Sequence, residues 1–302
     1  MHKISQHLPS NYECYFSTFY GDGWLERWEK RGWLEATIMG KWCQKENADY
    51  CKDHNLNYDY RGKLHEYDLV FMTTDMTVPN NIKKTKKILI QEGMIEPVDW
   101  RFKTAKLLGL PRVLADTAML GLSDDYEYFC VFSEGYKKEF IKRGVKPNKI
   151  MVTSVPNFDN VDRYRKNDFP HKDFVLVPTS NHRETARPHD RVAFIKKVLK
   201  IAGNRQIIFK LHPREIVDRA TKEIEEHAPG SLVFATGNTE EMVANCSCLI
   251  ATYSTVVLTA AALGKEIYSD YSKELLNELK PLQNGGKSAK TIATLGVELI
   301  EN

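Results

Sequence analysis

Short apolar runs alternate with stretches of helical periodicity almost throughout this 302-residue chain. Runs rich in Val, Ile, Phe and Tyr and bounded by turn residues read as strands, and apolar positions spaced three and four apart read as helices burying one face. In the first half the strand-like runs are Glu13–Phe19, Leu34–Met39, Asp68–Thr73, Lys87–Gln91, Tyr128–Phe132 and Lys149–Thr153. In the second half they are Phe174–Val177, Gln206–Lys210, Leu232–Ala235, Cys248–Ala251 and Glu266–Tyr268. Such alternation predicts βαβ units and parallel sheets. Between the halves lies SVPNFDNVDRYRKNDFPHKD, polar and with two prolines, which reads as an interdomain linker near residues 155–172. The fold predicted is α/β, with two doubly wound, Rossmann-like domains facing a cleft, residues 1–155 and residues 156–302. The chain opens on a helix-like stretch, Lys3–Leu8, where a doubly wound domain ordinarily opens on a strand, so the first strand of the N-terminal domain reads as missing.

Composition narrows the partners. With 43 basic against 40 acidic residues the formal charge is only +3, which gives no footprint for nucleic acid but leaves room for a local basic cleft that holds a small anion. The six cysteines show neither CxxC pairs nor metal-ligand spacing, and several lie inside apolar runs, so they read as reduced and the protein as cytoplasmic. No apolar run reaches the ~18 residues of a membrane span, so any membrane contact is expected to be peripheral, at the inner membrane face. The lysines at positions 83, 84, 86 and 87 form a short basic cluster that reads more readily as a solvated strand edge than as a lipid site.

Several strand ends carry chemistry. In KLHPRE, the proline after His212 drives the histidine out of the helical region, ending the strand and allowing a helix to begin at Pro213. His212, with Lys210 beside it, is thereby placed at the sheet edge where a phosphate can be met. In ATYSTVVLTAAALGKEIY, the hydroxyls of Thr252, Ser254 and Thr255 follow a buried strand directly, more hydroxyls than helix capping needs, and they suit a phosphate cradle. A third strand end, VPTSNHRETARP, offers Ser180 and Arg183, the latter with a planar fork suited to phosphate. In the first half, KILIQEGM ends a strand at Glu92, a carboxylate placed to act as a general base on a hydroxyl. Asp22, in a glycine-flanked turn, is a weaker candidate on the acceptor side, the turn itself being explanation enough. QNGGKS does not make a P-loop: glycine is lacking where Pro281 stands and no strand precedes it, so Ser288 reads as the cap of the last helix.

The stretch VFSEGYKKEFIKRGVKPNKIMVTSVPNFDN, then FKLHPRE, then ATYSTVVLTAAALGKEIY resembles the GT-B superfamily of nucleotide-sugar enzymes. Within it the resemblance is to CDP-glycerol glycerophosphotransferase-like proteins and capsule or lipopolysaccharide glycosyltransferases, with UDP-N-acetylglucosamine 2-epimerases as relatives. It is fair from about residue 128 onward and weak before. In such transferases an HP motif and a Ser/Thr-rich motif hold the donor's phosphates; the resemblance puts these roles on His212-Pro213 and on Ser254-Thr255, and the acceptor-activating carboxylate on Glu92. Epimerase relatives carry acidic residues where this chain has Leu258, Thr259 and Ala260, which argues against epimerisation.

The function expected is therefore transfer of a sugar or polyol-phosphate group from a nucleotide-activated donor, such as a nucleotide sugar or CDP-polyol, to an acceptor hydroxyl on a carbohydrate or lipid-linked chain, in cell-surface polysaccharide or glycolipid synthesis. No cofactor is implied beyond the donor itself, and with no DxD-like motif no metal is required. The rival readings are an epimerase-like isomerase, which needs no second substrate, and a non-catalytic nucleotide-binding relative.

Overall fold

The computed structural model describes the chain apart from Ala36, Glu96, Pro97, Asp99, Leu110, Pro111, residues 181–189 and Tyr253. It divides into two units. One comprises Met1–Phe132, Tyr136–Pro156 and Gly286–Asn302, the other Ser133–Gly135 and Asn157–Gly285. The strands are β1 (Tyr15–Phe16), β2 (Asn57–Tyr58), β3 (Leu69–Met72), β4 (Lys86–Ile90), β5 (Tyr128–Val131), β6 (Ile150–Val152), β7 (Val175–Pro178), β8 (Ile207–Lys210), β9 (Leu232–Phe234), β10 (Cys248–Ile250) and β11 (Glu266–Tyr268). The helices are α1 (His2–Ser5), α2 (Trp24–Lys30), α3 (Lys41–Asp53), α4 (Trp100–Leu108), α5 (Glu134–Arg143), α6 (Arg191–Ala202), α7 (Val217–His227), α8 (Thr239–Asn245), α9 (Val256–Ala262), α10 (Lys273–Leu279) and α11 (Ser288–Glu301).

In the first unit β3-β4-β5-β6 form a four-stranded parallel sheet, and β1 and β2 form a separate parallel pair. In the second unit the sheet is wholly parallel in the order β11-β10-β7-β8-β9. Strands buried on both faces read as unbroken apolar runs, and the second unit shows why. Val175, Val177, Ile207, Phe209, Leu211 and Ile250 fill one core with Ile195 and Val198 of α6 and Ile224 of α7, all 5% exposed or less. Leu176, Ile208 and Leu249, on the opposite sheet face by alternation, are equally buried.

Three expectations change. Leu34–Met39 is no strand in its described residues: Thr37 N–H donates to Leu34 O and Gly40 N–H to Thr37 O, so turns consume the backbone groups that a ladder needs. The polar stretch after residue 155 is not a free tether. Phe158, Asp159 and Val161 are buried, and the Gln283 side chain donates to Phe158 O at 2.6 Å and accepts from Val161 N–H at 3.0 Å. The last helix, α11, belongs with the first unit instead of the second, touching α1 and β4. Ser288 is its first residue, with Lys287 at the N-cap and no side-chain cap bond.

The basic cluster is also partly spent. Lys87 is buried and its ammonium donates to the carbonyls of Ile82, Lys83 and Thr85 beside Asp125, while Lys86 donates to Leu299 O. Two of the four lysines are thus occupied within the fold. Among the described residues no helix is long and apolar enough to cross a membrane. All six cysteines are free thiols, and burial pushes Cys130 and Cys246 up to about 12 and Cys248 to about 11.

Gly296 lets α11 approach β3. A Cβ there meets Phe71 Cζ at 2.6 Å and Leu69 Cδ2 at 2.8 Å. Gly296→Ala is expected to lower stability by about 1–3 kcal/mol through overpacking, read as a lower urea midpoint with an unchanged slope.

Candidate functional site

In the second unit the strand order reverses between β7 and β10: β8 and β9 lie to one side of β7, and β10 and β11 to the other. Open parallel sheets of this winding take ligands at the carboxyl ends of the strands beside such a switch point. The residues there are hydroxylic. Thr179 and Ser180 follow β7, and Thr252, Ser254 and Thr255 follow β10. The Ser180 Oγ is buried without a hydrogen-bond partner. The Thr252 side chain is half-buried, and no hydrogen bond among the described residues engages it. Ser254 Oγ accepts weakly from Val256 N–H at 3.4 Å at the start of α9, and Thr255 stands at the N-cap without making a side-chain cap bond. Capping thus leaves Ser180 and Thr252 unengaged among the described residues.

His212 stands on the far side of β7, because β8 pairs with β7 and not with β10. The histidine and the Ser254-Thr255 segment are therefore two strand spacings apart, about 10 Å. They meet a common ligand only with Thr179 and Ser180 between them. The strand does end at His212, but Pro213 sits in a turn and α7 begins only at Val217. Within that turn the Arg214 N–H donates to His212 Nδ1 at 3.1 Å. A ring nitrogen that accepts carries no proton, so the neutral imidazole bears its hydrogen on Nε2 and is a donor there.

What fixes this edge is a group of residues that strand-end reading passes over. Glu215 is 6% exposed, and its carboxylate accepts from the Thr179 hydroxyl, from His212 N–H at 3.0 Å and from the Arg191 guanidinium. Thr179 Oγ1 accepts from the same His212 N–H at 3.1 Å. Arg191, the first residue of α6, is 3% exposed and keeps Nε and Nη1 buried without partners. A buried guanidinium with two nitrogens unspent among the described residues calls for further acceptors. In the sequence the only hint was the acidic residue three places after the histidine in HPRE.

Lys210 does not meet the expectation of a phosphate ligand. Its ammonium, 5% exposed as a residue, donates to Leu211 O at 3.0 Å and Ala235 O at 3.2 Å. Desolvation lowers its pKa, with Glu240 and Glu215 opposing. It ties the tips of β8 and β9 together instead. Arg183 lies outside the described residues.

In the first unit Gln91 is fully buried at the end of β4. Its side chain accepts from Phe132 N–H at 3.1 Å and donates to Gly93 O at 3.0 Å, so the amide clamps the turn that presents Glu92. The Glu92 side chain reaches solvent, yet it stands against enough protein for desolvation to raise its carboxyl pKa above the usual value, a hydrogen bond with Thr73 partly opposing. Asp22 is occupied structurally: its carboxylate accepts from Asn80 N–H at 2.6 Å and lies 3.8 Å from the buried Arg61, which also faces Glu26 and Glu29. Among the described residues no cluster of His, Cys, Asp and Glu has the makings of a metal site.

No family model matches the sequence, and no curated protein matches it. Solved structures do. A variant of the wall teichoic acid polymerase TagF aligns with a TM-score of 0.52 at 12% identity, over 99% of this chain and 91% of that one. The same polymerase soaked with CDPG gives 0.50 at 12%, over 98% and 90%. UDP-GlcNAc 2-epimerase from Neisseria meningitidis bound to UDP-GlcNAc gives 0.50 at 11%, over 84% and 80%. This chain has the GT-B fold, built from two parallel, Rossmann-like α/β units. At such identities the likeness is one of fold.

Glu215→Ala is expected to cost about 3–5 kcal/mol, since it strands a buried guanidinium without its counter-charge. Replacing Glu215 and Arg191 together by apolar residues should cost much less, as a double-mutant cycle in urea would measure.

Proposed function

We propose that this protein is a transferase that binds a nucleotide-activated donor at the carboxyl edge of its second sheet and passes a sugar or polyol-phosphate group to an acceptor hydroxyl. The observation that carries this reading is the unengaged hydroxyl cluster flanking the β7/β10 reversal, Ser180 on one side and Thr252 on the other. Buried or half-buried hydroxyls at a switch point, with the backbone N–H groups of the following turns, suit phosphate oxygens and carry no demand for a metal. The fold supports the same class, because solved GT-B neighbours include a polymerase soaked with CDPG and an epimerase bound to UDP-GlcNAc.

The roles follow from chemistry. Ser180, Thr252, Ser254 and Thr255 bind the donor's phosphates. His212 donates from Nε2 to an oxygen of the departing nucleotide, where charge grows as the bond to the transferred group breaks; a preorganised donor of this kind contributes most in the transition state. Glu215, through Thr179 and the His212 backbone, holds that imidazole in register. Glu92 takes the proton of the acceptor hydroxyl as the hydroxyl attacks. The raised pKa of Glu92 makes it a better base than an ordinary carboxylate. The donor is consumed as substrate and no further cofactor enters. Leu258, Thr259 and Ala260 of α9 supply no acidic group for epimerisation, so the transferase is preferred over an isomerase.

A thermal-shift panel of CMP, CDP, UDP, GDP and their sugar or polyol conjugates should give a rise in melting temperature with one base, since a ligand that binds only the folded state stabilises it. With that donor, His212→Ala is expected to lower kcat about 10²–10³-fold. If His212→Ala leaves both binding and turnover intact, the assignment fails. A nucleotide shift without product from any acceptor would mark a binding module instead.

The pH profile tests Glu92. A carboxyl held above its usual pKa loses its base form as pH falls through that raised value, so turnover should decline on the acid side earlier than for an unperturbed glutamate. Glu92→Gln should cut kcat about 10²–10⁴-fold and abolish that acid limb.

A further inference from the structure

The first unit holds a cavity of about 590 Å³, within the range of about 300–1,000 Å³ usual for pockets that enclose a small organic ligand. Every residue from Asn11 to Tyr20 lines it, and every residue from Asp68 to Thr74. Successive side chains of a strand point to opposite faces, so a wall made of consecutive residues presents a strand's edge. The cavity therefore lies between the edges of β1 and β3. Among the described residues β1 pairs only with β2 and β3 only with β4, so these edges offer it N–H and C=O groups that no ladder uses. Thr18, another lining residue, is 4% exposed, and its buried hydroxyl, with that of Tyr58 nearby, has no well-formed hydrogen bond.

The remaining walls decide what fits. Tyr15, His65 and Tyr67 form a ring cluster with centroids 4.5, 6.0 and 6.2 Å apart, and Phe16, Phe19 and Phe71 extend the aromatic surface. Glu13, Glu66 and Asp68 line the cavity and are exposed, which puts three carboxylates at its rim. Asp59 is spent internally, accepting from the Tyr67 hydroxyl and from Lys63 and Leu64 N–H. No lysine or arginine occurs among the described lining residues. An anion here would meet carboxylates and no cation. An aliphatic chain would leave the strand edges and the Thr18 hydroxyl dry and unpaired. An ammonium only donates and would leave the edge N–H groups unmet. A neutral polyhydroxy ring satisfies all the walls at once, because each hydroxyl both donates and accepts while the C–H faces cover aromatic surface.

One end of the cavity reaches Glu92. Thr73, the residue after β3, lines the cavity and hydrogen-bonds with the Glu92 side chain. On the transferase reading, on which this assignment rests, the occupant must bring a hydroxyl to that carboxylate. We propose that the cavity is the acceptor pocket and takes an uncharged sugar ring, with Tyr15 as a stacking wall and with Glu66 and Asp68 as the charges that exclude phosphorylated acceptors.

The test reads binding apart from turnover. Saturation-transfer difference NMR on the whole chain without nucleotide compares N-acetylglucosamine and methyl β-glucoside with glucose 6-phosphate, glycerol 3-phosphate and n-octanol. Both neutral sugars are expected to receive saturation, and both phosphates to bind at least about tenfold more weakly. Tyr15→Leu, which keeps bulk and loses the ring, should weaken the sugars about tenfold. Glu66→Lys combined with Asp68→Lys, both at exposed positions, should bring glucose 6-phosphate at least level with the neutral sugars. An unchanged melting temperature shows that each variant is folded. No saturation of either neutral sugar, an equal response in Tyr15→Leu, or tighter binding of a phosphate or of octanol by the unaltered chain overturns the proposal. Neutral sugars that bind but accept no group from any nucleotide donor overturn the transferase reading and leave the pocket standing. Product from a phosphorylated acceptor, with no neutral sugar bound, leaves the transferase and overturns the pocket.

Discussion

One buried carboxylate organises the working edge of the second unit. Glu215 draws in the Thr179 hydroxyl at the end of β7, the backbone N–H of His212 at the end of β8 and the guanidinium of Arg191 at the start of α6. Three elements that only the sheet would otherwise relate are thus pinned at one point, and the histidine cannot shift without breaking a charge-assisted hydrogen bond in a dry environment. The ion pair need not add net stability, because desolvating both partners offsets much of their attraction. Its contribution is position. A side chain that must meet growing charge within a few tenths of an ångström is better held by a buried pair than by a loop.

The first unit solves the same problem with a neutral group. Gln91 joins the β5 edge to the turn after β4, accepting and donating at once, and so presents Glu92 on a fixed turn. An amide suits this place because it satisfies both a donor and an acceptor while leaving the neighbouring carboxyl the sole charge of the Gln-Glu-Gly turn. Desolvation of Glu92 then acts on a group that is held still, and its raised proton affinity belongs to the fold and not to chance contacts.

The strands were legible because parallel sheets bury both faces, and nine of the eleven expected runs coincide with a strand of the two larger sheets to within one or two residues. The failures share a cause. Glu13–Phe19 shrinks to Tyr15–Phe16 because its partner β2 is the polar pair Asn57–Tyr58, which no hydrophobic pattern reveals. Leu34–Met39 has apolar residues but no strand partner among its described residues, whose backbone is taken by turns. At the site, strand-end logic read His212, Ser180, Thr252, Ser254 and Thr255 as following strands, and they do follow β8, β7 and β10, since proline and hydroxyl residues mark where a strand stops. It could not foresee that β7 lies between β8 and β10, because order in a sheet depends on pairing across the fold. Nor could it tell Lys210, whose ammonium closes on two carbonyls, from a lysine that faces a ligand. Residue type alone does not say where a long side chain is spent.

The burial of thiols has a practical consequence. Cys130, Cys246 and Cys248 are locked away with their proton affinity raised, whereas Cys14, though burial raises its thiol too, is only half-buried, on the wall of the cavity between β1 and β3. A maleimide dye applied at mildly alkaline pH therefore has a kinetic preference for the accessible thiols, Cys14 and Cys43. With Cys43 replaced by serine, fluorescence from position 14 becomes an optical gauge of whatever enters that space, independent of catalysis and of the nucleotide chemistry in the other half of the molecule.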